Sequence, residues 1–161
     1  MNLLAHVLLL VFAIGFVTGL RSFTPAAVVC WAAYLDALNL RATPLAFLGS
    51  SAAIAIFTLL ALGELVADKL PKTPSRTAAV GLSARILLGA LCGAALTLAS
   101  QQSSSWLLGA VLGAIGGIAG AFAGYQARTR LVRALKVPDI VIALIEDAVA
   151  IAAAILIVTH V

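Results

Sequence analysis

The chain has 161 residues, 63% of them hydrophobic and only 10% charged, with a formal net charge of +4. Soluble domains carry about 25% charged residues and disordered chains are polar, so both classes are excluded. Two cysteines, and 13 glycines without a triplet period, exclude a disulfide scaffold and a collagen.

What remains is an all-α protein, a polytopic transmembrane helical bundle, and the length allows a single integral membrane domain over 1–161. A helix crosses the ~30 Å hydrocarbon core in about 20 apolar residues. The first segment, Asn2–Leu20, carries no charge. It has no basic region at its start and no small-x-small site before Arg21, so it reads as a retained span rather than a signal peptide. After Arg21-Ser22-Phe23-Thr24-Pro25 the second segment runs to Leu40; counted from Phe23 it reaches ~27 Å and either spans or re-enters. Leu45–Val66 is the third segment. Asp68 to Arg76 forms a turn in which Pro71 and Pro74 forbid a continuous helix. Ala78–Ala99 follows, broken only by Arg85, and Gln101 to Ser105 is a polar turn. Trp106–Tyr125 is glycine-rich and uncharged. A basic loop with Arg128, Arg130, Arg133 and Lys136 closes at Pro138, and Ile140–Val161 is the sixth segment. Cys30 and Cys92 lie inside segments and read as small apolar fillers.

The positive-inside rule favours six spans with the amino terminus outside. That arrangement turns Arg21, Lys69, Lys72, Arg76, Arg128, Arg130, Arg133 and Lys136 to the cytoplasm and leaves Arg41 outside. The expected location is a cell membrane, as a multi-pass protein in contact with the lipid bilayer.

Ionisable groups inside spans are costly and call for partners. Counted from the cytoplasmic ends at ~1.5 Å per residue, Arg85 lies about 13 Å in, Glu146 about 12 Å and Glu64 about 9 Å. Asp68 sits one turn from Glu64 on the same face, and Asp147 adjoins Glu146. Arg85 shares its face with Gly81, Gly89 and Cys92, which marks a face pressed against another helix. The expectation is an internal layer in which Arg85 pairs with Glu64, Glu146 or Asp147. Such pairs either pin helix register or line a pathway for a solute or proton; more acids than bases in the layer speak for the second.

Gly109, Gly113, Gly117, Gly120 and Gly124 fall on one face of the fifth segment, the pattern of close helix packing. The partner of that face is either internal or a second copy, and the small size of the chain favours a homodimer. Two turns place a hydroxyl before proline beside a cation: Arg21 with Thr24, and Lys69, Lys72, Ser75 and Arg76 in the loop. They are simple capped turns or sites for an anion such as a lipid headgroup. Splitting the chain near Arg76 gives three segments per half, compatible with an inverted 3+3 repeat.

Enzyme signatures are missing. Lys69 and Arg76 have a spacing seen in lipid-phosphate phosphatases, but the two histidines those enzymes need are absent here, where His6 and His160 lie near opposite ends. No metal cluster, cofactor fingerprint or nucleotide loop occurs, and the basic residues are too few and too confined for nucleic acid. Neither cofactor nor metal is expected.

The run from Gly63 to Thr77, with Gly19-Leu20-Arg21-Ser22-Phe23-Thr24-Pro25 and Ala143 to Ile151, resembles a family of bacterial integral membrane proteins, domain-of-unknown-function family 4126. The resemblance covers nearly the whole chain and implies a bacterial inner-membrane location without a known activity. Leu70-Pro71-Lys72 stands where members of that family carry Val-Pro-Gly. The function expected from the charged layer is a small transporter or channel for an ion or polar solute. The alternative is a non-transporting membrane scaffold or a protein that binds anionic lipid.

Overall fold

The computed structural model describes residues 3–68, 78–100 and 105–161. Among these it is all-helical: α1 (Leu3–Leu20), α2 (Phe23–Tyr34), a 3₁₀ turn (Ala46–Gly49), α3 (Ser51–Ala67), α4 (Ala79–Ala99), α5 (Trp106–Leu135) and α6 (Asp139–Val158). Three of them, α4, α5 and α6, are long and apolar enough to cross a membrane; α1, α2 and α3 are shorter apolar helices.

The helix boundaries follow from local chemistry. In a continuous helix the Pro25 ring would clash with the Arg21 carbonyl, so α1 stops and α2 restarts at Phe23 with Pro25 in its first turn. The second segment is shorter than the sequence implies: α2 has 12 residues and ends at Tyr34 rather than Leu40, a length of ~18 Å. Asp36 causes this by taking the left-handed conformation, φ 59°. The Ala37 N–H then bonds the Ala32 carbonyl at 2.9 Å and the Asp36 N–H bonds that of Ala33, a Schellman stop with aspartate in the place glycine usually holds. The residues after it fold inward, burying Leu38 and Leu40. α3 starts later than Leu45, at Ser51, where the Ser50 hydroxyl accepts from the Ala53 N–H at 3.1 Å as N-cap.

The fifth segment is longer than expected. The basic stretch after Tyr125 is not a loop but the last turns of α5, which has 30 residues. Gln126, Ala127 and the arginines are good helix formers, and nothing breaks the helix until Lys136 turns left-handed at φ 52° before Pro138.

The glycine face of α5 is filled inside the chain. Added Cβ atoms at Gly113 and Gly109 would strike the Gly89 and Gly93 carbonyls of α4, and one at Gly117 would lie 2.6 Å from the Arg85 carbonyl oxygen. Gly116 and Gly120 press against Phe12 and Phe16 of α1 in the same manner, and Gly124 is buried. These contacts run α1 parallel and α4 antiparallel to α5, with backbones too close for any side chain between them. α2, α3 and α6 complete the bundle around a core of small and branched residues, among them Val11, Ile14, Cys30, Cys92, Ala95, Leu96, Ala150 and Ala154.

A candidate charged site at a helix break

The break between α1 and α2 gathers the ionisable residues of four other helices. Ending α1 leaves carbonyls without partners, and starting α2 leaves N–H groups without partners. Arg85 of α4 supplies the first need: its Nε donates to the Gly19 carbonyl at 3.0 Å, while Nη1 donates to its own Gly81 carbonyl at 2.9 Å. Glu64 of α3 supplies the second: its two carboxylate oxygens accept from the Ser22 and Phe23 N–H groups at 2.8 and 2.9 Å. Arg85 and Glu64 lie 3.7 Å apart. A cation thus sits at the negative end of one helix and an anion at the positive end of the next, each reinforced by the other.

Arg21 occupies the break itself. Its side chain is 0% exposed and pairs with Asp68 through Nη1 and with Asp147 of α6 at 2.5 Å through Nη2, with Glu146 at 4.0 Å. Arg128 of α5 extends the array outward. It holds Asp139 in a bidentate pair at 2.9 and 2.5 Å, and its Nη1 lies 3.6 Å from Glu146 and 4.0 Å from Asp68. The result is a ladder of alternating charge: Glu64 with Arg85 innermost, then Arg21 between Asp68 and Asp147, then Arg128 between Glu146 and the exposed Asp139.

Glu64, Asp68, Arg85, Glu146 and Asp147, the residues singled out by depth in the sequence, therefore come together. The partners are distributed differently from the expectation centred on Arg85. Arg85 meets Glu64, whereas Asp147 and Glu146 reach Arg21 and Arg128. Arg21, read as a surface turn beside Thr24, is instead the most enclosed cation among the described residues. The excess of acids over one arginine in the layer was the signal that a second buried cation was required. Thr24 is also buried, in the first turn of α2, and its hydroxyl, like Arg21 Nε, has no hydrogen-bond partner among the described residues. Lys69, Lys72, Ser75 and Arg76 lie outside the described residues.

No group of three or more metal-ligating side chains occurs among the described residues. Asp36 and Arg41 form a separate, exposed bidentate pair at 2.9 and 2.6 Å on the loop after α2.

Among the described residues, fold and site together define an all-helical protein in which apolar helices, three of them long enough to cross a membrane, surround a buried ion-pair ladder. The chain belongs to the family described as Domain of unknown function (DUF4126), which it matches over residues 8–160. No curated protein and no solved structure matches it.

Proposed function

We propose that the chain is a multi-pass protein of the bacterial inner membrane that passes an ion or small polar solute along the ladder at the α1–α2 break. The observation that carries the reading is Arg21, 0% exposed and set between carboxylates of α3 and α6 where a helix is interrupted. Charges inside spans are expensive and concentrate at solute and proton pathways, and interrupted helices are how transporters build binding sites. The 12 residues of α2 reach ~18 Å and fall short of the ~30 Å hydrocarbon core, so α2 is a half-helix whose crossing is completed by the loop that buries Leu38 and Leu40. A half-helix of this kind fits an inverted 3+3 arrangement, although α5 and α6 carry no matching break among the described residues.

One observation favours the non-transporting alternative. Arg85 and Glu64 satisfy the broken backbone with hydrogen bonds of 2.8–3.0 Å, as a static clamp would. Reconstitution separates the two. Vesicles containing the chain are expected to dissipate an imposed proton or monovalent-ion gradient, and Asp68→Asn or Glu146→Gln to abolish the leak while melting behaviour is retained. Vesicles that hold proton, potassium, sodium and chloride gradients with folded protein present would overturn transport of ions.

A further inference from the structure

One group of cations stands apart from the ion pairs of the bundle. The described residues include seven basic side chains: Arg21, Arg41, Arg85, Arg128, Arg130, Arg133 and Lys136. The first four are paired with carboxylates. All six acids of the chain, Asp36, Glu64, Asp68, Asp139, Glu146 and Asp147, are already engaged in those pairs. Arg130, Arg133 and Lys136 have no ion pair among the described residues, and all three are exposed. Exposed and unpaired, they are open to an anion outside the chain.

Their position says what supplies it. α5 has 30 residues and a length of ~45 Å, so it outruns the ~30 Å hydrocarbon core. The end that projects is the one beyond Arg128, because the opposite end begins at Trp106 beside the glycine face packed on α4. Arg130 and Arg133, three residues apart, share one side of that extension. Leu131 and Leu135, exposed at 45% and 58%, share the adjoining side. A helix end with cations and leucines side by side, continuous with a membrane span, lies at the depth where headgroups meet acyl chains.

We propose that the segment Arg130–Lys136 is a docking surface for anionic phospholipid. The guanidinium forks of Arg130 and Arg133 and the Lys136 ammonium hold phosphodiester oxygens, while Leu131 and Leu135 enter the acyl boundary. The inference stands whether or not the chain transports a solute.

The test uses the full chain in phosphatidylcholine vesicles and compares spin-labelled phosphatidylglycerol with spin-labelled phosphatidylcholine at the protein surface. The wild-type chain is expected to select phosphatidylglycerol, and 1 M salt to erase the selection by screening. A juxtamembrane cation contributes about fivefold, so R130Q/R133Q/K136Q should lower the relative association constant by about fivefold or more. The three side chains have no ion pair among the described residues, so helix content should not change. A folded triple variant with undiminished preference overturns the proposal and assigns the cations to an acidic protein partner instead. A preference that survives 1 M salt overturns it as well.

Discussion

Arg21 and Arg41 are the same side chain in opposite surroundings. Arg41 pairs with Asp36 in good bidentate geometry, yet the two are 77% and 58% exposed, where water and salt screen the attraction. Arg41→Ala should therefore change stability by no more than about 0.5 kcal/mol, read as a shift of a degree or two in thermal melting in detergent. Arg21 has no water to replace its partners. Removing it takes the enclosed cation from between the Asp68 and Asp147 carboxylates, 16% and 10% exposed, and breaking a buried pair from one side costs about 3–5 kcal/mol. Arg21→Gln should then fail to accumulate or melt far below wild type, and adding Asp68→Asn should recover part of the loss, since one negative charge of the site is gone with it. Equal melting of Arg21→Gln and Arg41→Ala would contradict the ladder. Arg21 illustrates where sequence reading stops. Its neighbours Ser22, Thr24 and Pro25 mark a turn correctly, but whether a turn lies at the surface or in the core depends on which helices close over it, and no local pattern records that.

At the scale of the element, α1 and α2 are held at their junction by groups from elsewhere in the chain. Glu64→Gln keeps one acceptor oxygen, enough for one of the Ser22 and Phe23 N–H groups, but gives up the second acceptor, the charge at the α2 start and the pair with Arg85. Glu64→Ala gives up the hydrogen bonds as well, leaving buried donors that cost about 1–3 kcal/mol. The expected order of melting temperatures is wild type, Glu64→Gln, Glu64→Ala, and amide exchange at Phe23 should accelerate most in the last. Glycine packing gives a second contrast. A methyl at Gly113 would run into the Gly89 carbonyl, backbone that cannot rotate away, so Gly113→Ala should destabilise by about 1–3 kcal/mol. Gly63 sits in α3 with open space around it, so Gly63→Ala should be neutral or gain up to about 1 kcal/mol from helix propensity. The first glycine was legible in the sequence, because its spacing of four with Gly109 and Gly117 already marked a contact face. The extent of α2 was not: an aspartate in a left-handed stop has no sequence marker as strong as glycine. Nor was the α5 extension, since arginines between apolar segments suit a loop and a helix equally until the missing breaker is noticed.

For the whole molecule, the ladder divides the bundle into two ends. From Glu64 back to Ser51 α3 covers thirteen residues, about 20 Å, and Gly49 packs on Ala33 at the far end of α2. From Gly117, level with Arg85, α5 covers seventeen residues in the other direction to Ala134, about 26 Å. The loop that carries Ala42 and the α5 terminus that carries Ala134 are thus separated by more than the hydrocarbon core, and in a bilayer they must face opposite compartments. Both alanines are exposed, whereas the native cysteines Cys30 and Cys92 are 0% and 1% exposed and should resist labelling. Cells expressing Ala42→Cys should take up a membrane-impermeant maleimide without lysis, because the orientation expected from the positive-inside rule puts that loop outside. Ala134→Cys should label only after the membrane is opened. The reverse pattern would invert the orientation while preserving the two-ended bundle. Labelling of both from one side would mean that α2 and α3 do not cross with the rest, and the ladder would then lie at a surface instead of inside the membrane.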